Sequence, residues 1–223
     1  MLAYTAKEYL DDRTDLLTGE PDELWSDATL VRYFNEAEKR LCRRAWILQD
    51  TGHPQAGVVV LATSKATYKL HKSVLRVRVA TPSDTDYPLL HGTDAQVIGA
   101  RPEDADFFDS NSASVLTPGR PTVITTDAGT RTLKVTPTPA AAQNGLRILL
   151  KVTRMPYCPL SLDKLNEEPE VPEEWHLEVL CKYAAGQCLT HPNVDASAKT
   201  EGRNLLAQVE ATIREARQER ERA

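Results

Sequence analysis

The sequence lacks the short motifs that bring a reaction mechanism with them. It holds no GxxxxGK[ST] phosphate loop, no GxGxxG turn, no GxSxG elbow, no HExxH helix and no zinc-finger spacing. P-loop hydrolysis, dinucleotide binding, nucleophile-elbow chemistry and zincin proteolysis are therefore without support. It also lacks a long apolar run, and no stretch approaches the ~20 residues that cross a bilayer. The opening MLAYTAKEYLDD carries no apolar signal core, which predicts a chain that is not exported. Cysteine is sparse: Cys42, Cys158, Cys181 and Cys188 form no CxxC pair, and they read as reduced, structural thiols. A basic excess is missing too. A net charge of −5 and a pI near 5.6 argue against a protein whose main task is coating DNA, although a local basic patch stays open.

What is present is globular. At 41% hydrophobic and 26% charged, 223 residues can bury a core in one domain, or in one domain with an insertion. The stretch from Trp25 to Gln49 organises the rest. Ser26 and Asp27 offer oxygens to the free N–H groups of a helix start. Leu30, Phe34, Ala37, Leu41, Ala45 and Leu48 recur at steps of three and four, the stripe of an amphipathic helix. Glu36, Glu38, Lys39, Arg40, Arg43 and Arg44 are expected on the other face, with Glu36–Arg40 supporting the helix and Lys39–Arg43 opposing it. The next breakers are Gly52 and Pro54.

A first helix is expected over Tyr4 to Leu17, with Thr5 as a candidate cap and Gly19 to Asp22 as its stop. From about Gln55 the texture turns to strand. Gly57 to Thr63 is β-branched and apolar, and Ala66 to Leu70 and Val74 to Ala80 follow. In the last, Val74, Arg76 and Arg78 alternate with Leu75, Val77 and Val79, the period of a half-buried strand. Pro82 ends it. Leu89-Leu90 and Ala95 to Ile98 suit short strands, and Arg101 to Phe108 a helical turn or two. Ser110 to Pro121 reads as a loop.

Thr122 to Thr126 and Thr130 to Thr136 flank Asp127-Ala128-Gly129, which predicts a hairpin whose three-residue loop places Gly129 in a G1 bulge. Leu146 to Thr153 is a further strand, left through Pro156 and Pro159. Helix returns at Pro172-Glu-Glu, where fixed φ and acidic charge suit a first turn. Leu177, Leu180, Cys181, Ala184, Ala185 and Cys188 form its expected buried stripe, and Pro192 stops it. The last helix runs from about Ala196, with a narrow seam of Leu206, Val209, Ile213 and Ala216. Beyond Arg214 the chain is nearly all charged. No internal repeat is found.

The fold class that follows is α+β: a helical bundle from the N- and C-terminal helices, with an inserted antiparallel β-rich unit, a small sandwich or barrel. The expected boundaries are 1–54 and 156–223 for the bundle and 55–155 for the insertion.

Candidate chemistry is thin. Cys181 and Cys188 lie two helical turns apart, but no His stands at a matching step, and buried structural thiols explain them better than a metal pair. His53, His71, His91, His176 and His191 are scattered. Asp11, Asp12 and Asp15, and Asp104, Asp106 and Asp109, are explained by solvated faces. Carboxylate pairs for glycosidase work can be drawn up, but nothing singles one out. Between Glu201 and Ala223 five Arg meet five Glu, so that tail's field nearly cancels. No catalytic, cofactor-binding or metal residue is expected.

The combination of segments resembles the head-to-tail adaptor (connector, head-completion) proteins of tailed bacteriophages. WSDATLVRYFNEAEKR from Trp25 is similar to that family's second helix. Tyr68-Lys-Leu with Val74-Leu-Arg-Val is similar to its strand pair. Pro121-Thr-Val-Ile with Thr132 to Pro139 resembles its hairpin, and Val152 to Leu160 its closing strand and Pro exit. VPEEWHLEVLCKYAA from Val171 resembles its C-terminal helix. The resemblance covers nearly the whole chain. It departs at His71-Lys72, where a Pro is expected, and over Ser83 to Glu103.

The resemblance implies a non-enzymatic virion part without cofactor. Such a part forms a ring, usually of twelve copies, beneath the portal. It extends the DNA channel and gives the next neck or tail protein a platform. DNA would pass without sequence-specific binding, which an acidic balance suits. The expected place is the virion neck, and host cytoplasm during assembly, with no membrane. The expected portal or subunit interface is Leu206, Val209, Ile213, Ala216, Arg217 and Arg220, with the tail helix ordering on docking. The competing readings are a tail-associated peptidoglycan or polysaccharide hydrolase, a stopper or tail-terminator ring, and a terminase-like or regulatory DNA-binding module.

Overall fold

Helix α1 (Asp27–Ala45) forms where the stripe and cap place it. Ser26, extended at φ −70° and ψ 149°, accepts the Thr29 N–H at 3.3 Å on its hydroxyl oxygen. Leu30, Phe34, Ala37, Leu41 and Ala45 are all buried, and so is Leu48 just beyond the helix. Each such Leu or Phe contributes about 1.5–3 kcal/mol on burial. The end of α1 differs from expectation. No glycine closes it; Trp46 takes the left-handed conformation at φ 54° and returns its N–H to Cys42 O at 3.1 Å.

The computed structural model describes residues 26–86, 89–93, 96–97, 118–127, 129–161, 168–192 and 194–222. The helix expected at Tyr4 to Leu17, the turns expected at Arg101 to Phe108 and most of the Ser110 to Pro121 loop lie outside them. The chain divides into two compact units. One runs up to Leu48 and resumes at Met155; the other is Gln49–Arg154.

In the first unit α1 packs with α2 (Lys182–Leu189) and α3 (Ala196–Arg222) around one apolar core. Pro172 opens the approach to α2, its carbonyl accepting from Trp175 N at 3.0 Å. A π-helical segment, His176–Cys181, then precedes α2, and the Lys182 N–H reaches back five residues to Leu177 O. The wider turn rotates the following side chains. Leu180, Cys181, Ala184, Ala185 and Cys188 are buried as expected, but Leu177 is 49% exposed, while Val179 and His176 are buried in its place.

Among the described residues the second unit holds two sheets. In the first, β9 (Arg147–Arg154) pairs antiparallel with β1 (Gln49–Thr51), β2 (Val58–Val60) and β4 (Val74–Pro82). In the second the order is β3 (Thr67–Lys69), β8 (Thr132–Thr136), β7 (Val123–Asp127), β5 (Leu90–Thr93) and β6 (Gln96–Val97). The β5–β7 pair is parallel and the others antiparallel. The expectation of α+β with an inserted β unit is met.

Two details of the β unit correct the expectations. Simple alternation fails in β4: Val74, Val77 and Ala80 are buried, whereas Val79 is 38% exposed. The pairing skips Leu75 and Arg78, so two bulges each add a residue and reverse the faces. In the hairpin, Asp127 pairs with Thr132, so the loop spans 128–131. The left-handed residue is Arg131, at φ 53°, and not Gly129. The Asp127 carboxylate sets this turn by accepting from Gly129 N at 2.7 Å and Thr130 Oγ at 2.5 Å. The Thr130 hydroxyl first, then the backbone N–H groups of Gly129 and Thr130, hold its pKa below the usual carboxylate range.

Candidate assembly surface of the helical unit

The seam of α3 is spent inside the chain. Val209, Ile213 and Ala216 are 0%, 2% and 2% exposed, within the core shared with α1 and α2. Leu206 is partly buried and packs against that core. These four residues therefore hold α3 down and do not face outward as a free seam. An apolar step of three and four shows that a helix buries one side; it does not say whose side chains cover it.

Of the expected interface, Arg217 and Arg220 remain at the surface, exposed and half-exposed. Arg217 donates from Nε to Glu221 Oε1 at 2.8 Å and lies over the Trp46 ring, 4.9 Å from its centroid. Arg203, Ala207, Arg214, Glu215 and Gln218 fill the outward face of α3.

Charged pairs tie α3 to α1. Glu210 meets both Arg40 and Arg44. Arg40 Nε sits 2.5 Å from Glu210 Oε1 without the alignment of a hydrogen bond, so that contact is ionic. At this exposure such pairs contribute about 0.2–1 kcal/mol each. Arg40 is thus directed to α3, where its spacing from Glu36 suggests a pair within α1.

Close packing does more. At Gly186 of α2 a Cβ would stand 3.1 Å from Gly202 O; at Gly202 of α3 it would stand 2.9 Å from Gly186 O and 2.9 Å from Leu189 Cβ. The two glycines let the α2 and α3 backbones touch, and nothing in their isolated positions marks them.

Glu38, expected on the solvated face, is 1% exposed. Its Oε1 accepts from Glu170 N at 2.9 Å and Val171 N at 3.3 Å. Glu170 Oε1 in turn accepts from Tyr157 N at 2.6 Å and Cys158 N at 2.9 Å. Asn35 bonds both ways with Leu160: Nδ2 to its carbonyl at 2.9 Å, and Oδ1 from its N–H at 2.8 Å. Polar side chains of α1 and of Glu170 thereby satisfy the backbone entering the helical unit, which has no sheet partner there.

Cys181 and Cys188 are free and buried, and burial raises their thiols to about 11 and about 12, with Arg32 pulling Cys188 slightly back. His176 Nε2 is 2.8 Å from Val171 O, a structural bond. Among the described residues no three His, Cys, Asp or Glu gather as a metal site, and no helix is long and apolar enough to cross a membrane. The helical unit is thus an apolar core with a charged exterior.

A family model described as SU10 adaptor protein matches residues 2–223 of the chain. No curated protein matches it.

Proposed function

This chain belongs to the SU10 adaptor protein family, and from that premise we propose that it docks beneath the portal as a ring, usually of twelve copies, and extends the DNA channel. The observation that carries the reading is the span of the match, which takes in both units from residue 2 to residue 223. The ring gives the downstream neck or tail protein its platform. It works as a structural part without cofactor or catalysis, in the virion neck, and assembles in the host cytoplasm.

The physical features agree with this role. Outside Gln49–Arg154 the sequence carries twenty-three Asp and Glu against fifteen Lys and Arg. A channel wall with such an acidic excess would let DNA slide, since counterion release on a basic one would hold it. For the portal or subunit contact we propose the outward side of α3. Arg217 and Arg220 supply charge there, next to Arg203, Ala207 and Arg214, while Leu206, Val209, Ile213 and Ala216 fix the helix from behind.

Native mass spectrometry of the chain alone and mixed with its portal tests the proposal. A monomer that becomes a stoichiometric ring on the portal is the expected result. A lasting monomer that ignores the portal overturns it.

A further inference from the structure

Among the described residues, the β unit leaves two strand edges open onto one groove. Strands β2 and β3 leave a single connection, 61–66, for different sheets. Tyr68 fixes that connection: its hydroxyl oxygen accepts from Ala62 N at 2.9 Å, and its O–H donates to Lys65 O at 2.8 Å. The shallow groove between the strands is lined by Val58, Val60, Lys65, Thr67 and Lys69, above Tyr68.

The pairing register tells which backbone groups face it. Leu61 N donates to Leu146 O and Leu150 N to Gly57 O, so residues 57, 59 and 61 bond to β9. Val58 and Val60 then turn their N–H and C=O groups the other way. Likewise Leu70 N donates to Arg131 O and Val135 N to Ala66 O, which turns Thr67 and Lys69 away from β8. Thr67 and Lys69 are exposed, and Val60 is 53% exposed, a large apolar side chain left out of the core.

Open edges of this kind take extended chain. The charge selects which chain. Two lysines and no carboxylate line the groove, and the whole unit carries twelve Lys and Arg against nine Asp and Glu. We propose that this groove binds an extended acidic segment of a partner protein, added as a β-strand along β2 and β3. Its carboxylates meet Lys65 and Lys69, and its alternate apolar side chains cover Val60. The proposal stands on the β unit alone and does not depend on the virion role.

The test is amide hydrogen exchange on the full chain with a synthetic peptide of roughly eight residues, alternating Glu with Val or Thr. The expected result is slowed exchange at Val58, Val60, Thr67 and Lys69. Lys65→Glu with Lys69→Glu, which changes only exposed side chains, is expected to weaken binding roughly tenfold or more. Val60→Pro removes one edge donor and is expected to weaken it as well. Three results overturn the proposal. One is no slowing up to about millimolar peptide. Another is equal slowing by a basic peptide or by oligothymidylate, which would mean non-specific or nucleic-acid binding. The last is slowing that grows with protein concentration alone, which would make the occupant a second copy.

Discussion

Arg217 lies over the ring of Trp46, its guanidinium carbon 4.9 Å from the centroid, and so joins the end of α1 to the last turns of α3. Trp46 is the left-handed residue that stops α1, a conformation that costs a non-glycine about 1–2 kcal/mol. Its ring is covered by Arg217 of α3. The stack marks where α3 ceases to be anchored: Ala216 is buried, whereas residues 217–219, 221 and 222 are exposed.

Amide protection in the isolated protein is therefore expected to extend along α3 through Ala216 and to fall beyond Arg217. The ordering on docking that we propose for the tail would then be confined to the last turn or two of the helix. Arg217→Ala is expected to cost about 0.5–1 kcal/mol and to move the frayed boundary toward Ile213. Hydrogen exchange with urea unfolding measures both. Flat protection to Arg222 in wild type and variant alike would show that the stack anchors nothing.

The two glycines of the α2–α3 crossing give an ordered pair of outcomes. Alanine favours a helix by about 1 kcal/mol over glycine, and overpacking costs about 1–3 kcal/mol. At Gly186 the nearest atoms to an added methyl belong to the Leu206 side chain, whose Cγ would lie 2.8 Å from it, with the Gly202 carbonyl oxygen farther off at 3.1 Å. At Gly202 the obstacles are the Gly186 carbonyl and Leu189 Cβ, both 2.9 Å away and fixed to backbone. Gly202→Ala is thus expected to destabilise by about 1–2 kcal/mol, and Gly186→Ala by less. Thermal midpoints of the two variants decide the order.

How far these features are legible depends on what each leaves in the sequence. Ser26 and the Leu30-to-Ala45 stripe announce α1, because cap chemistry and period are local. Trp46 announces nothing, since the left-handed stop is imposed by packing and not by a glycine. The π segment before α2 likewise has no residue signature, so period alone places Leu177 on the wrong face. In β4, two bulges reverse an alternation that the composition suggests. The α3 seam is legible as apolar, yet Val209, Ile213 and Ala216 serve the chain's own core. Period reveals a buried stripe without naming its partner. Glu38 escapes for the opposite reason: charge argues for solvent unless backbone donors that lie far off in sequence converge on it.

Glu38→Ala removes the acceptor for Glu170 N and Val171 N while leaving both N–H groups near the core. A cost of about 2–3 kcal/mol is expected. Glu38→Gln keeps an oxygen at the same reach and is expected to lose less than half of that. Urea midpoints compare the two. Equal losses would mean that the charge, and not the hydrogen-bond geometry, matters at this position.

The buried thiols set an alkaline limit on stability. Burial raises Cys181 and Cys188 from the ordinary 9.0 to about 11 and about 12. Their unfolded-state values lie lower, so above about pH 9 the native chain holds protons that the unfolded chain has released. This contribution is whole below about pH 9 and is lost as pH rises toward 11 and 12. Urea midpoints are accordingly expected to fall across that window. Replacing both residues with Ala is expected to lower stability near neutral pH, through the space left behind, and also to flatten the alkaline fall. An unchanged alkaline slope in the variant would remove the thiols as its cause. Labelling tests the same burial from outside. In the native chain only Cys158, the exposed one of the four, is expected to react quickly with an aromatic disulfide at about pH 8, while Cys42, Cys181 and Cys188 wait for unfolding.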